Sequence, residues 1–457
     1  MADPILVLQL QRLGDLVLTF PLLEELNRRH PDNPLLVVAE KNFYSGLERL
    51  SPPAMYFPAE KIGELKGARF EMALNLSHRP EAAECLNNVH APLKLGKITG
   101  KGVHINGFWQ LYRANLTQNN RHNTFHWSDL NLMDLPELKP SAAGLPGAAR
   151  PLQSRRIGLV IGASDSCKTP DVKFWAQLAT LLARKGFMPF FLGGTAEKEA
   201  GIEAAGLSGL FGANLCGRLS LQELAEVMKG MALCITPDTG PMHLASWLGV
   251  PTLNLSMGPV HAHETGPALP GQWVLRSTAS CVGCWQCGRG EYFCKKAFLP
   301  HSVSKISTAL LNGVESEKQA GLELLKMRRD EDGFLRLLPQ KQDISARWRL
   351  ENFWRKAFLA FDDERHLPAA RLAAGEIMDD YHELAKKMRQ NLAKMLSQTL
   401  KTLRSSNPPL QALQTQPLHS RIFAGHCQLW LENENFSQKA LGEILKRQET
   451  LLDILSE

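Results

Sequence analysis

Four segments of this chain place reactive or anion-binding residues where apolar runs end. The first is Arg12-Leu13-Gly14-Asp15, after the run at 5–10. A glycine there lets the backbone turn tightly from a strand into a helix. Asp15 would then sit in the first helical turn, where a carboxylate could act as general base toward a hydroxyl. The same position suits a helix-capping aspartate, and position alone favours the cap. The second is Thr236-Pro237-Asp238-Thr239-Gly240-Pro241-Met242-His243. Pro241 suits a first helical turn, so the N–H groups at Thr239 and Gly240 open a helix N-terminus able to receive a pyrophosphate. His243 lies one turn along, and Asp238 could bind a ribose or donor-sugar hydroxyl. Alternatively this is a well-capped helix with a buried histidine.

The third segment is Gly162-Ala163-Ser164-Asp165-Ser166-Cys167-Lys168. Its small residues permit close approach of a ligand at Ser164, and Lys168 could offset charge on a departing phosphate. A lone loop lysine is more often only solvated. The fourth, Gly193-Gly194-Thr195-Ala196-Glu197-Lys198-Glu199, offers Glu197 or Glu199 to both hydroxyls of a ribose, or simply acidic residues at a helix start. Ser77, His78 and Arg79, after the run at 72–76, are acceptor-side candidates together with Arg12.

Cys281, Cys284, Cys287 and Cys294 form a dense thiol set. Their spacing is open to a structural zinc or iron–sulfur cluster, to reduced thiols or to a local disulfide. A ferredoxin-type run would need a Cys-Pro and a different fourth interval.

The elements that must hold these segments alternate. Strand-like runs at 5–10, 35–38, 72–76, 157–161, 189–192, 233–236 and 252–255 are separated by helical patterns at 14–29, 174–184, 221–229 and 241–248. Such alternation predicts parallel sheets with helices on both faces. The Pro, Gly and Ala content at 141–153 reads as a linker between a first domain, 1–140, and a second, 154–318. Beyond 319 the composition reads as a helical extension to 457.

Taken in order, these motifs resemble glycosyltransferase family 9, which includes the ADP-heptose:lipopolysaccharide heptosyltransferases. The likeness spans about residues 5–310. It includes Thr19-Phe20-Pro21-Leu22, Lys168 seven residues before Trp175, Asp238-Thr239-Gly240 with His243, Gly258-Pro259, and Thr265-Gly266-Pro267. The chain departs from the family at Gln11-Arg12 and at Leu18. The resemblance implies an α/β GT-B fold of two Rossmann-like, doubly wound domains facing a cleft. It implies inverting transfer of heptose or a similar sugar from a nucleotide-diphosphate donor, with no cofactor required. It places Asp15 as catalytic base. Lys168, Thr239, Gly240 and His243 fall on the donor phosphates, Asp238 on the donor, Glu199 or Glu197 near the ribose, and Leu219 in the base pocket. The acceptor would be a glycolipid, polysaccharide or protein.

Composition bounds these readings. The 457 residues suit two or three domains, and a net charge of +6 without a basic stripe is not that of a nucleic-acid binder. No apolar run approaches the ~20 residues of a membrane span. The expected location is cytoplasmic, with contact at the inner membrane face left open. Two other classes compete. One is a non-catalytic sugar-nucleotide-binding or scaffold protein acting through the helical extension. The other is a nucleotide-sugar epimerase or oxidoreductase, against which the missing glycine-x-glycine-x-x-glycine fingerprint argues.

Overall fold

The computed structural model describes residues 2–100, 102–135, 154–279, 281, 283–287, 291–340, 345–404 and 416–456. The chain forms two compact units. The first comprises Met1–Lys94 with His126–Lys341, the second Leu95–Phe125 with Gln342–Glu457.

In the first unit, β1 (Ile5–Leu8), β2 (Leu35–Ala39), β3 (Met55–Pro58) and β4 (Met72–Asn75) run parallel in the order β3-β2-β1-β4. Every residue of β1 and β4 is buried, as expected of parallel strands covered on both faces. The helical pattern at 14–29 is two helices, Leu13–Val17 and Phe20–Arg29. The break falls where Pro21, which has no N–H, enters the first turn of the second helix. The chain then passes along β5 (Leu93–Thr99) into the second unit, pairs antiparallel with β6 (Val103–Asn106), and returns at His126.

The rest of the first unit is a seven-stranded sheet. Its strands are β7 (Arg156–Val160), β8 (Met188–Leu192), β9 (Leu233–Thr236), β10 (Thr252–Ser256), β11 (Trp273–Ser277), β12 (Leu322–Arg329) and β13 (Leu335–Pro339), in the order β13-β12-β11-β10-β9-β7-β8. From β8 to β11 neighbours are parallel, whereas β12 and β13 are antiparallel. Leu159, Phe191, Ile235 and Leu253 pack against Trp175 and Leu178 of helix Val172–Arg184 and against Val303 and Ile306 of helix Pro300–Leu311. Each such fully buried side chain contributes roughly 1.5–3 kcal/mol by leaving water.

The reading of 319–457 as wholly helical is corrected here. Residues 322–339 form a hairpin that completes this sheet. Leu322, Leu325 and Met327 are buried while Glu323, Lys326 and Arg328 are not, and the turn carries Asp330 and Gly333. The charged residues of an outer hairpin gave the stretch a helix-like composition. Residues 95–125, read with the first domain, belong instead to the second unit. The linker at 141–153 lies outside the described residues.

The second unit contains helices Ala346–Asp362, Leu367–Asp380, His382–Arg404, Arg421–Asn433 and Gln438–Ile454, together with helix Phe108–Asn115. Its core is aromatic, with Trp109, Tyr112, Phe125, Phe353, Trp354, Phe358 and Phe423 all buried. The Trp109 indole donates to Asp362 at 3.1 Å, and Arg355 donates to the Thr124 carbonyl at 3.1 Å with its guanidinium over the Phe125 ring.

Candidate functional site

The first unit brings the starts of two helices into contact. Leu13–Val17 follows β1, and Gly240–Trp247 follows β9. A Cβ on Gly14 would stand 2.8 Å from His243 Cδ2, and one on Gly240 would stand 2.8 Å from Leu13 Cδ2. Only residues without side chains allow this approach. Asp15, next to Gly14, is half-buried and accepts the N–H of Arg12 at 3.3 Å. Its capping role is therefore real, and the residue before it, Gly14, packs on His243 and Gly240. Thr19 donates to the Asp15 carbonyl at 2.9 Å and receives the amide of Gln9 at 3.2 Å, which ties this helix to the end of β1.

Thr239 is the extended N-cap of helix Gly240–Trp247, with Pro241 in the first turn. Asp238, half-buried, accepts the Thr265 hydroxyl at 2.6 Å. Burial pushes its carboxyl above the usual range, against the opposing pull of Lys168, the Thr265 hydroxyl and His126. His243 is buried, and burial together with the Lys168 cation holds its pKa down at about 3. The imidazole is therefore neutral, and its Nδ1 has no hydrogen-bond partner among the described residues.

Lys168 ends a short turn at Ser166–Lys168. It is half-buried, acts electrostatically on both Asp238 and His243, and makes no ion pair among the described residues. The turn is held from two sides. Asp165 Oδ1 accepts the Cys167 N–H at 3.0 Å, and Lys295 donates to the Ser166 carbonyl at 2.9 Å. Gly258, at φ +77°, lies under it so closely that a Cβ would be 2.5 Å from the Cys167 carbonyl oxygen.

Glu197 and Glu199 separate in the structure. Glu197 accepts the Gly194 N–H at 2.8 Å and packs over Gly162 and Gly193, where β7 and β8 end. Glu199 is exposed on helix Lys198–Ser208, and Ser164 is exposed on its loop. Leu219 lines an open cavity of about 600 Å³ with Arg49, Leu50, Gln222, Glu223 and Glu226. On the β1–β4 side, Arg79 pairs with Glu40 and donates to the Leu10 carbonyl at 3.4 Å, bridging the ends of three strands. The buried Ser77 hydroxyl accepts the Arg79 N–H at 3.2 Å. His78 and Arg12 are exposed.

All four clustered cysteines are half-buried, and none is in a disulfide among the described residues. They lie near one another: burial first, then its three neighbours, push the Cys284 thiol up. Cys294 Sγ accepts the Gly258 N–H at 3.3 Å, and Gly283 packs on the His261 ring. Among the described residues no three His, Cys, Asp or Glu side chains are arranged to hold a metal ion. What the loop does is pack against the segment beneath Lys168. That role left no motif in the sequence, and neither did His126, whose ring lies close enough to Asp238 and His243 to be felt electrostatically.

Two parallel-dominated sheets, with the candidate site at strand ends where the first helix of one meets helix Gly240–Trp247 of the other, form the GT-B architecture of glycosyltransferases, here joined to a set of C-terminal helices. The same fold is found in a glycosyltransferase family 9 protein from Veillonella parvula, with a TM-score of 0.52 and 21% identity over 68% of this chain and 98% of that one. It is found again in E. coli ADP-heptose LPS heptosyltransferase II, with a TM-score of 0.52 and 18% identity over 68% and 99%. Residues 112–289 match the family described as glycosyltransferase family 9 (heptosyltransferase), so the resemblance carried by the motifs is also found by direct comparison. Lipopolysaccharide heptosyltransferase 1 of Pseudomonas aeruginosa is 39% identical over 115 residues, 24% of this chain and 31% of that protein. Lipooligosaccharide heptosyltransferase 2 of Campylobacter jejuni is 28% identical over 167 residues, 34% and 50%. The matched stretches thus span a third to a half of these curated relatives.

Proposed function

We propose that this protein is an inverting glycosyltransferase of the heptosyltransferase type, moving heptose or a similar sugar from an ADP-linked donor to a hydroxyl of a glycolipid such as lipopolysaccharide. The observation that carries the reading is the contact of Gly14 with His243 and Gly240. Asp15 follows Gly14, and on this reading its carboxylate faces a helix start suited to a diphosphate.

An acceptor hydroxyl has a pKa far above neutrality and needs a base as its oxygen attacks. Asp15 takes that proton. The bond from the anomeric carbon to the diphosphate oxygen breaks as the new glycosidic bond forms on the opposite face. Charge grows on the leaving phosphate, where the N–H groups at Thr239 and Gly240 and the Lys168 ammonium receive it. His243, being neutral, contributes a hydrogen bond and not a charge. Fixed protein groups thus do the work a divalent ion would otherwise do. Asp238 holds the donor sugar or ribose, Glu197 the ribose hydroxyls, and the cavity at Leu219 the base. Arg12, Ser77, His78 and Arg79 form the acceptor side. No helix of the described residues is long and apolar enough to cross a membrane, and we place the enzyme in the cytoplasm, reaching its acceptor at the inner membrane face.

Asp15→Asn tests the reading. With ADP-heptose and a deacylated lipopolysaccharide acceptor, kcat falls ~100-fold or more while donor affinity stays within about twofold. Turnover near wild type removes Asp15 from the base role.

A further inference from the structure

His126 is 1% exposed and held at both ring nitrogens. Nδ1 receives the backbone N–H of Ser128 at 3.2 Å and lies 2.8 Å from the Ser128 hydroxyl, so the ring caps the short helix Trp127–Leu130. A backbone N–H can only donate, so Nδ1 carries no proton and the hydrogen sits on Nε2. Nε2 therefore donates to the Gly266 carbonyl, 2.9 Å away. Gly266 follows Thr265, the residue whose hydroxyl donates to Asp238. The Gly266 N–H donates to the Ala262 carbonyl at 2.9 Å, and a Cβ on Gly266 would stand 2.5 Å from that oxygen, so the position holds its backbone and takes no side chain.

The far end of the same short segment reaches the other half of the site. The Asn131 side chain, buried, donates to the Leu18 carbonyl at 3.4 Å, and Leu18 is the C-cap of the helix that carries Asp15. Between them, Asp129 accepts the Leu335 N–H of β13 at 2.7 Å. Six residues thus grip the turn behind Asp238, an outer strand of the same sheet, and the helix of Asp15.

We propose that His126 is a positioning residue for the donor: through Gly266 and Thr265 it fixes the direction of the Asp238 carboxylate, while Asn131 on the same segment holds the helix of Asp15. This rests on the donor-site reading of Asp238 given above. His126 moves no proton in the reaction, because its one hydrogen is committed to a carbonyl and its bare nitrogen to a backbone N–H. Its contribution is to donor binding and not to the chemical step. A buried histidine that merely caps its own helix would have no such effect.

Two substitutions separate these roles by the reach of their amides. In His126→Gln the side-chain nitrogen extends to where Nε2 stands and keeps the tie to Gly266, but the cap is lost. In His126→Asn the oxygen keeps the cap, but the side chain is too short to reach Gly266. ADP-heptose binding by calorimetry, KM and kcat, and Tm are measured on the full chain. The Asn variant is expected to raise Kd and KM for ADP-heptose about tenfold, the effect of losing one buried hydrogen bond, with kcat within about threefold. The Gln variant returns both constants to within about threefold of wild type while its Tm is the lower of the two. Asn binding like wild type, or Gln binding as weakly as Asn, overturns the proposal. Wild-type protein that fails to bind ADP-heptose sinks the donor-site reading instead. The tie is then decided by a urea-unfolding cycle of His126→Asn with Thr265→Val, where coupling supports it and additivity overturns it.

Discussion

Gly14 and His243 touch so closely that no Cβ fits between them, the gap to the imidazole Cδ2 being 2.8 Å from where that atom would lie. The first helix of one sheet thereby rests on the first turn of a helix from the other. A side chain at 14 forces the His243 ring or the helix that carries Asp15 to shift. Gly14→Ala is expected to lower kcat at least tenfold and to cost about 1–3 kcal/mol of stability, as overpacking does at buried contacts. Steady-state turnover and the urea midpoint read the two effects. An alanine variant with native turnover and stability would show that the contact is loose.

On the proposed donor site, Lys168 and His243 should make separable contributions. Lys168→Ala removes the cation that acts on both Asp238 and His243, and ADP affinity should fall about tenfold or more, the usual scale for a hydrogen bond to a charged group. His243→Ala removes a neutral donor and should weaken ADP binding by about five- to tenfold. Raising salt should weaken ADP binding to wild type and to the histidine variant alike, and to the lysine variant less. Calorimetry at two ionic strengths distinguishes them, and unchanged affinity in both variants would remove the phosphates from this place.

Gly258 supports the Lys168 turn from below, at φ +77° and 2.5 Å from the Cys167 carbonyl for an added Cβ. Gly258→Ala therefore strains the backbone and lifts the turn. ADP binding should weaken about as much as in Lys168→Ala, although residue 258 offers a phosphate no charge. Binding equal to wild type would separate the glycine from the phosphate site.

Stability should fall on mild acidification. His243 and His122 have pKa values of about 3 and His126 of about 4 in the folded protein, each depressed chiefly by burial. The unfolded chain binds these protons near pH 6.5, so it holds more protons than the native state below that pH. Their contribution is complete above about 6.5 and is lost progressively as pH falls toward 4 and then 3. Asp238, with a raised pKa, acts with the opposite sign at the acidic end of that window. Urea midpoints should be level between pH 7 and 8 and decline from pH 6.5 to 5. A flat profile to pH 5 would mean these imidazoles are hydrated.

The parallel strands were legible because burial on both faces leaves short apolar runs, as in Ile5–Leu8 and at 233–235, although buried Asn254 interrupts Thr252–Ser256. The turn segments with Asp15, Asp238 and Lys168 were legible because a strand that ends in glycine or a capping residue announces a helix start wherever it folds. The hairpin at 322–339 was not, since its solvent-side charges imitate a helix. Nor was the split of Glu197 from Glu199. Two acidic residues two apart look alike in sequence, and only the packing of Gly162 and Gly193 against one of them tells them apart. The place of His126 was likewise decided by tertiary structure alone. Its partner Gly266 is 140 residues away, and local pattern carries no information about which distant carbonyl will close on a buried ring. Residue types and short spacings depend on local backbone geometry and so are written in the chain; contacts that join its two sheets depend on how the whole first unit packs.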